Sequence, residues 1–384
     1  MKVKHIAFVT IAMLGLAFAA ETEAQVGITA VPFLQIEPDT RAAGMGNTGV
    51  SIADNASAVF WNPAGLAFQT GNEISITHAN WLPQFDVGLF YDYLVGKYEI
   101  DGIGVVGGHV TFLNLGEQNR TGEAGPDVLG SFSSYEIATG LSYGFKINEN
   151  FAVGTGLRFI YSNLVPSGTE VSGQEARDGT SVGLDLSSLY RPNSFTVFNR
   201  ESEISAGVNL SNIGSAIQYT DEAQKDPLPT LLRLGWSYKM DLDAEGFNTL
   251  TLSNDFSKIM ARTEEIVTTN DDGVSDTTTQ TMGSFKALFN SWDTYSRHDG
   301  QSQVDVPLSE QFMIGLGAEY WYNEQFALRT GYFYESPNNG NRQFLTFGAG
   351  LRYDFIGIDF SYLATVEEHH PLANTIRLSL LLDL

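Results

Sequence analysis

The chain contains no cysteine, which excludes both a disulfide framework and a cysteine-ligated metal site. Cations are scarce: 21 Lys and Arg stand against 45 Asp and Glu, so the net charge is −24. Such a chain lacks the basic surface that nucleic acid requires, and we expect no nucleic-acid partner. Charged residues make up only 17% of the sequence, well below the about one quarter of a soluble domain.

Long apolar runs are confined to the N-terminus. Lys2 and Lys4 precede an apolar run at residues 6–20, and the small residues Thr22 and Ala24 follow it. This pattern predicts a secretory signal peptide over residues 1–24, cleaved after Ala24. Because no comparable run follows, an exported protein with this sequence could cross a membrane only with strands.

The dominant pattern after residue 72 is strict alternation. In "NTIRLSLLLDL", Ile376, Leu378 and Leu380 fall on one face, and Arg377 and Ser379 fall on the other. The polar face is rich in Gly and Ser with isolated charges, which is typical of a confined barrel interior under an outward lipid face. We therefore predict an all-β fold, a transmembrane outer-membrane β-barrel of about fourteen antiparallel strands; a soluble sandwich or propeller remains the alternative. The predicted strands begin near residues 72, 85, 102, 133, 151, 180, 203, 230, 249, 310, 326, 343, 356 and 373.

The predicted connections alternate between short periplasmic turns and longer outer loops, and both chain termini are expected to be periplasmic. The outer loops include residues 116–132 and residues 259–309, and the second of these is far longer than ordinary connections. The second half of the long loop carries apolar residues at roughly helical spacing. These form either a partner surface or packing over the barrel mouth. They are Phe285, Leu288, Phe289 and Trp292.

A glycine-rich segment, residues 25–71, precedes the first predicted strand. "RAAGMGNTG" matches G-x-G-x-x-G, but a turn precedes it and no helix opens at Gly49, so a dinucleotide site is excluded. A barrel of this width needs something in its lumen, and glycines allow a backbone to approach the wall closely. We predict that this segment is a plug and that Asn62 caps a short helix starting at Pro63. The plug motif comprises Gly44, Met45, Gly46, Gly49, Trp61, Asn62, Pro63 and Ala64.

The motifs "AVPFLQIEPDTRAAGMGNTGV", "WNPA" and the closing "FGAGLRYDFIGIDFSYL…HHPLANTIRLSLLLDL" resemble the FadL-like outer-membrane barrels, and within them the PorV/PorQ type. The resemblance covers essentially the whole mature chain. Gly65 and Leu66 follow Ala64 where PorV proper is expected to have a Lys-Tyr pair, so PorV and a PorQ-type paralogue both remain open.

The resemblance implies a non-enzymatic role in type IX protein secretion. The barrel would bind the large translocon barrel, receive secreted substrates by their C-terminal signal domain, and deliver them to a sortase-containing attachment complex. Its outward face would contact outer-membrane lipid. The alternative, as in FadL itself, is passive transport of hydrophobic small molecules across the outer membrane.

We predict no catalytic, cofactor or metal site. "GTSVG" around Ser181 matches G-x-S-x-G but lies in an alternating segment rather than at a strand-to-helix turn. "EEHHP" at residues 367–371 and "NDDGVSD" at 270–276 are better explained as solvated loop tips than as metal sites. Inward charges are predicted to solvate the lumen and hold the plug, or else to form a gating or substrate path. They are Arg158, Arg233, Lys239, Glu319, Arg352, Asp359 and Arg377.

Overall fold

The computed structural model describes residues 29–85, 87–122, 125–171, 174–220, 225–269, 275–298, 303–367 and 370–384. The signal peptide predicted over residues 1–24 lies outside the described residues. None of the helices in the described ranges is long and apolar enough to span a membrane.

Fourteen antiparallel strands form one closed barrel, because each strand pairs with its neighbours in the chain and the last pairs with the first. This confirms the predicted fold class and strand number. The strands are β1 Glu73–Asn80, β2 Phe90–Ile100, β3 Gly104–Gly122, β4 Gly125–Asn148, β5 Phe151–Asn163, β6 Gly179–Tyr190, β7 Arg200–Gly214, β8 Leu231–Asp241, β9 Asn248–Ile259, β10 Met313–Tyr322, β11 Phe326–Tyr334, β12 Gln343–Tyr353, β13 Ile356–Thr365 and β14 Thr375–Asp383.

The two faces of the wall have the polarity of a membrane barrel. On β14, Leu378 points outward and is 52% exposed, whereas the neighbouring Arg377 points inward and is 3% exposed. A water-soluble sheet would bury the leucine and expose the arginine. The alternation in the sequence therefore encodes an apolar exterior and a packed polar interior.

Connections at the two ends of the barrel differ in length, as predicted. Short turns join β4 to β5, β10 to β11 and β12 to β13 at one end, here called the inner end; the long connections lie at the opposite, outer end. The connections contain 3-10 helices at Pro83–Phe85 and Leu308–Glu310, short strands at Glu170–Val171, Gln174–Glu175, Phe195–Val197, Thr263–Thr269, Ser275–Thr281, Tyr295–His298 and Gln303–Val306, and the α-helix α3 at Ser284–Asn290. The outer loop predicted at residues 116–132 is wrong in one respect: its described residues are paired arms of β3 and β4.

The N-terminal segment lies inside the barrel and passes along it from the outer end to the inner end. Ala30 N donates to the carbonyl of Pro227, in the outer connection before β8, at 2.9 Å. At the inner end, Leu384 N donates to the Asn72 carbonyl at 2.9 Å. The expectation that both termini are periplasmic is therefore wrong for the N-terminal side, because the described chain starts at the outer end and runs through the lumen to reach β1. Along this path it forms 3-10 helices at Pro32–Gln35 and Pro63–Phe68 and the short helices α1 Thr40–Ala43 and α2 Ala58–Trp61.

Candidate functional site

The glycines of the N-terminal motif lie where the backbone touches its surroundings. Gly46 has a φ of +63°, and an added Cβ would be 2.4 Å from the Leu316 carbonyl oxygen. Its N–H donates to Thr346 Oγ1 at 2.8 Å. A Cβ on Gly49 would be 2.4 Å from the indole of Trp61. Only glycine fits at either position without displacing its neighbours.

The wall carries matching glycines, which sequence reasoning missed. A Cβ on Gly331 would be 2.1 Å from the nitrogen of Gly46, and one on Gly154 would be 2.1 Å from the nitrogen of Ala64. Inward-facing glycines therefore create the space that the N-terminal segment occupies. Their signal in the sequence is the repeated glycine on the polar face of each strand.

Asn62 fixes the second half of the motif. Its Oδ1 accepts from Ala64 N at 3.1 Å, so it caps the 3-10 helix that Pro63 begins, as predicted. Its Nδ2 donates to the Val50 carbonyl at 2.8 Å and to the Ser188 carbonyl of the wall at 3.0 Å. One buried side chain thus joins two parts of the N-terminal segment to β6.

A buried ion network connects the N-terminal segment to the wall. Arg41 binds Glu319 of β10 through two bonds, Nη2 to Oε1 at 2.6 Å and Nε to Oε2 at 2.8 Å. Its Nη1 also contacts Asp54 Oδ1 at 2.6 Å. Burial by itself lowers the pKa of Arg41, but attraction by Asp54 and Glu319 outweighs burial and raises the pKa well above its usual value.

The network continues along the wall. Arg329 of β11 binds Glu319 Oε2 at 2.7 Å and Asp359 Oδ1 at 2.7 Å. Arg352 of β12 binds Asp359 Oδ2 at 2.7 Å, and both guanidinium groups lie over the ring of Trp321. With Arg41 and Asp54, three cations face three anions, so the cluster is charge-balanced.

Three of the predicted lumen charges, Glu319, Arg352 and Asp359, are thus brought together. Sequence reasoning missed Arg41 and Arg329, although Arg329 follows the same alternation as its neighbours on β11.

The other predicted lumen charges occupy separate places. Arg158 pairs with Asp185 of β6 at 2.9 Å and also bonds Asn212. Arg377 lies over the ring of Trp81 at 6.0 Å. Lys239 is at the inner mouth, where its half-exposed side chain lies 3.5 Å from that of Glu203.

Arg233 contacts the N-terminal segment through aromatic rings. Its guanidinium lies 4.9 Å from the ring centroid of Phe60 and 5.4 Å from that of Trp61. The two rings pack edge to face at 5.3 Å. Asp255, a wall residue that sequence reasoning also missed, accepts from the N–H groups of Gly49 at 2.8 Å and Val50 at 3.0 Å.

A cavity of about 450 Å³ separates the N-terminal segment from part of the wall near the inner end. Most of the residues that line it are polar or charged, among them Arg41, Asp54, Glu73, Lys239 and Glu319. A lining of this kind suits water and ions, whereas hydrophobic ligands bind in mainly apolar pockets.

At the outer end, the candidate aromatic residues lie on or beside α3. Phe285, Leu288 and Phe289 fall within α3, and Trp292 follows it. Phe285 is 72% exposed, Phe289 is 70% exposed, and their rings pack at 5.7 Å. Trp292 is 40% exposed, and its Nε1 donates to the Leu288 carbonyl at 2.8 Å. Leu288 itself is half-buried.

The segment around α3 is anchored to the barrel rim. Ala287 is fully buried, and Ser284 Oγ donates to the carbonyl of Gly214, the last residue of β7, at 2.6 Å. Arg262 Nη2 donates to the Asp293 carbonyl at 2.6 Å. Phe285 and Phe289 are therefore displayed on a fixed support.

The remaining motifs show no reactive arrangement. Ser181 lies within β6 and donates to the Ser215 carbonyl at 2.6 Å, so it is not at a nucleophile elbow. The loop motifs at residues 367–371 and 270–276 lie partly outside the described residues. In the parts of the chain that are described, no three His, Asp or Glu side chains converge as a metal site would require.

Several solved barrels are similar to this chain at low sequence identity. The toluene transporter TbuX of Ralstonia pickettii is 12% identical, with 89% of this chain and 96% of that one covered and a TM-score of 0.48. The Pseudomonas putida toluene transporter TodX is 11% identical over 90% and 98%, with a TM-score of 0.48. A FadL homologue of Pseudomonas aeruginosa is 13% identical over 90% and 98%, with a TM-score of 0.41.

No curated protein sequence matches the chain. The family model described as type IX secretion system protein PorV matches residues 19–266. This match spans well over half of the sequence and includes the N-terminal segment, with its glycine motif and Asn62, and the strands from β1 to β9. The chain therefore belongs to the PorV family, and the protein is a non-enzymatic outer-membrane β-barrel of the type IX secretion system.

Proposed function

We propose that this barrel is a closed carrier of secreted proteins and that residues 25–71 are its plug. In this proposal residues 1–24 are a signal peptide, residues 72–384 form the transmembrane barrel, and residues 259–309 form its long extracellular loop. The buried contacts of Arg41 and Asn62 with the wall support a plug that stays in place while the protein works.

The carrier would act in three steps on the cell surface. It would bind the type IX translocon barrel, take up a secreted substrate by its C-terminal signal domain, and deliver it to the sortase-containing attachment complex. The observation that carries this proposal is a lumen occupied by a charge-balanced network, together with exposed aromatic side chains on an anchored outer loop.

The aromatic side chains suit a protein partner. Exposed Phe and Trp on a rigid support lose little conformational entropy on binding, and aromatic anchors often dominate the energy of protein interfaces. Burying Phe285 and Phe289 against a partner would remove two largely exposed rings from water. The fixed position of α3 favours a preformed docking site.

Passive transport of hydrophobic molecules is the less favoured function. Such transport requires an apolar route, but the lumen around Arg41 and Arg329 is crossed by ion pairs, and the cavity at the inner end is lined by charged groups. A hydrophobic solute would have to displace or pass these groups at a high desolvation cost.

The proposal is tested by purifying the tagged protein from native outer membranes in mild detergent and identifying its companions by mass spectrometry. Recovery of a very large barrel, or of surface proteins that share a C-terminal domain, is the expected result. Recovery of the barrel alone with bound fatty acid or another lipid would instead support transport.

A further inference from the structure

Strands β3 and β4 extend beyond the rest of the barrel at the outer end. The pairing of β2 with β3 stops at Phe90 and Asn114, and that of β4 with β5 stops at Tyr135 and Asn163. Beyond these pairs, the arms continue as a two-stranded ribbon, called here the outer ribbon: residues 117–122 on β3 and 125–133 on β4. At about 3.4 Å per residue, the eight residues that follow Asn114 on β3 extend about 27 Å past the last β2 pair.

The outer ribbon has two free edges in the described part of the chain. No third strand joins it there, and Glu117, Asn119, Ser131 and Ser133 are all exposed. An isolated pair of strands is at best marginally stable in water, and a third strand is the usual means of stabilising it. Free backbone N–H and C=O groups along such an edge are a template for another strand.

The two edges differ chemically. The β3 arm carries two charged residues, Glu117 and Arg120. The β4 arm carries Pro126 and Asp127 near its tip, but it has no charged residue and no proline from Val128 to Ser134. Charges and prolines are the residues that block strand addition, so the open part of the outer ribbon is the β4 edge from Val128 to Ser134. Val128 on this arm is 58% exposed and adds apolar surface beside the edge.

We propose that the β4 edge of the outer ribbon binds a secreted substrate by strand addition, with a segment of the substrate's C-terminal signal domain as the third strand. The inference rests on the proposed carrier function and gives it a contact site. Main-chain hydrogen bonds would provide affinity without demanding one cargo sequence, which suits a carrier of different proteins.

The position of the outer ribbon favours a soluble occupant. The outer ribbon projects beyond the membrane-spanning part of the wall into the extracellular space. A partner barrel that lies beside this one in the membrane would therefore not contact its tip. A folded domain that has left the translocon can approach it from the aqueous side. The aromatic residues on α3 remain available for a second contact, because they lie at the end of β7.

The first test measures binding of a purified C-terminal signal domain from a secreted protein of the same organism to the full-length barrel in detergent. Removing residues 117–120 together with 130–133 deletes four directly paired residues from each arm, and the even number keeps every side chain on its face. We expect at least a roughly tenfold loss of affinity, because the added strand loses most of its template.

A matched pair of substitutions distinguishes the edges without shortening the outer ribbon. Ser131 and Asn119 are directly opposed and both exposed. Lysine on an edge strand opposes pairing, so Ser131→Lys should weaken binding and Asn119→Lys should leave it close to wild type. In the unaltered protein, hydrogen exchange of the amides from Val128 to Ser134 should slow when the signal domain binds.

The possible failures are distinguishable. If the signal domain binds the shortened variant within about twofold of wild type, or binds without slowing exchange at residues 128–134, strand addition is wrong while the carrier function stands. If the signal domain does not bind the unaltered barrel at all, the carrier function falls as well.

Discussion

The contact between Arg41 and Glu319 should be the main electrostatic tie of the N-terminal segment, and Arg41→Met tests it. Glu319 is 1% exposed in its side chain, so removing Arg41 deprives a buried carboxylate of two hydrogen bonds. Breaking a buried pair from one side costs about 3–5 kcal/mol. Glu319 keeps Arg329 at 2.7 Å, and Asp54 is partly exposed, so we expect the lower end of this range, about 3 kcal/mol.

The measurement is the free energy of unfolding in urea for barrels folded into lipid vesicles. Lys239→Met is the matched control, because its pair with Glu203 lines the same cavity but is about half exposed. That control should cost less than about 1 kcal/mol. In Arg41→Met, hydrogen exchange should also accelerate at residues 42–50. Equal losses in the two variants, with unchanged exchange, would refute the view that a buried network holds the segment.

Three further predictions concern the lumen and the outer surface. Gly46→Ala should destabilise the barrel by several kcal/mol more than Gly71→Ala, because both glycines have positive φ but a Cβ on Gly71 meets nothing within 4 Å. Urea unfolding compares the two variants, and equal losses of unfolding free energy would contradict the steric argument. Replacing Phe285 and Phe289 together by Ser should leave the free energy of unfolding within about 0.5 kcal/mol of wild type, since exposed residues contribute little to stability. The same change should reduce recovery of the translocon on purification, and full recovery would show that these two residues are not part of the proposed interface. The chain has no cysteine and Pro32 is exposed near the outer end, so Pro32→Cys should react with an impermeant maleimide on whole cells. Labelling only after lysis would contradict the path of the N-terminal segment from the outer end to the inner end.

The wall was predictable from sequence because the membrane imposes its pattern on neighbouring residues. Neighbouring residues such as Arg377 and Leu378 alternate in polarity because one face of the strand meets the lumen and the other meets lipid. The predicted strand starts at residues 151, 326, 343 and 356 coincide with observed ones. Three of these, at 151, 326 and 356, follow short turns, which leave little freedom in register. The cap formed by Asn62 was predictable for the same reason: it depends on adjacent residues.

The internal contacts were not predictable, because they join distant parts of the chain. Arg41 and Glu319 are 278 positions apart, and no local pattern relates them. The direction of the N-terminal segment was missed for a related reason: a segment inside a lumen can enter β1 from either end, and only a contact such as Ala30 with Pro227 decides which. The sequence predicts a loop at the outer ribbon because its residues lack the sustained alternation of polar and apolar side chains that marks the membrane-spanning strands.

Glycines on the inward face nevertheless leave a trace of the segment in the sequence. Gly207, Gly315 and Gly331 belong to different strands, yet an added Cβ on each would be 2.5 Å or less from the backbone of the N-terminal segment. A lumen filled with water would place no such limit on side-chain size, and glycine weakens a strand. Retaining glycine at these inward positions therefore makes physical sense only if another backbone lies against the wall. The same sequence that encodes the wall thus also encodes the shape of what fills it.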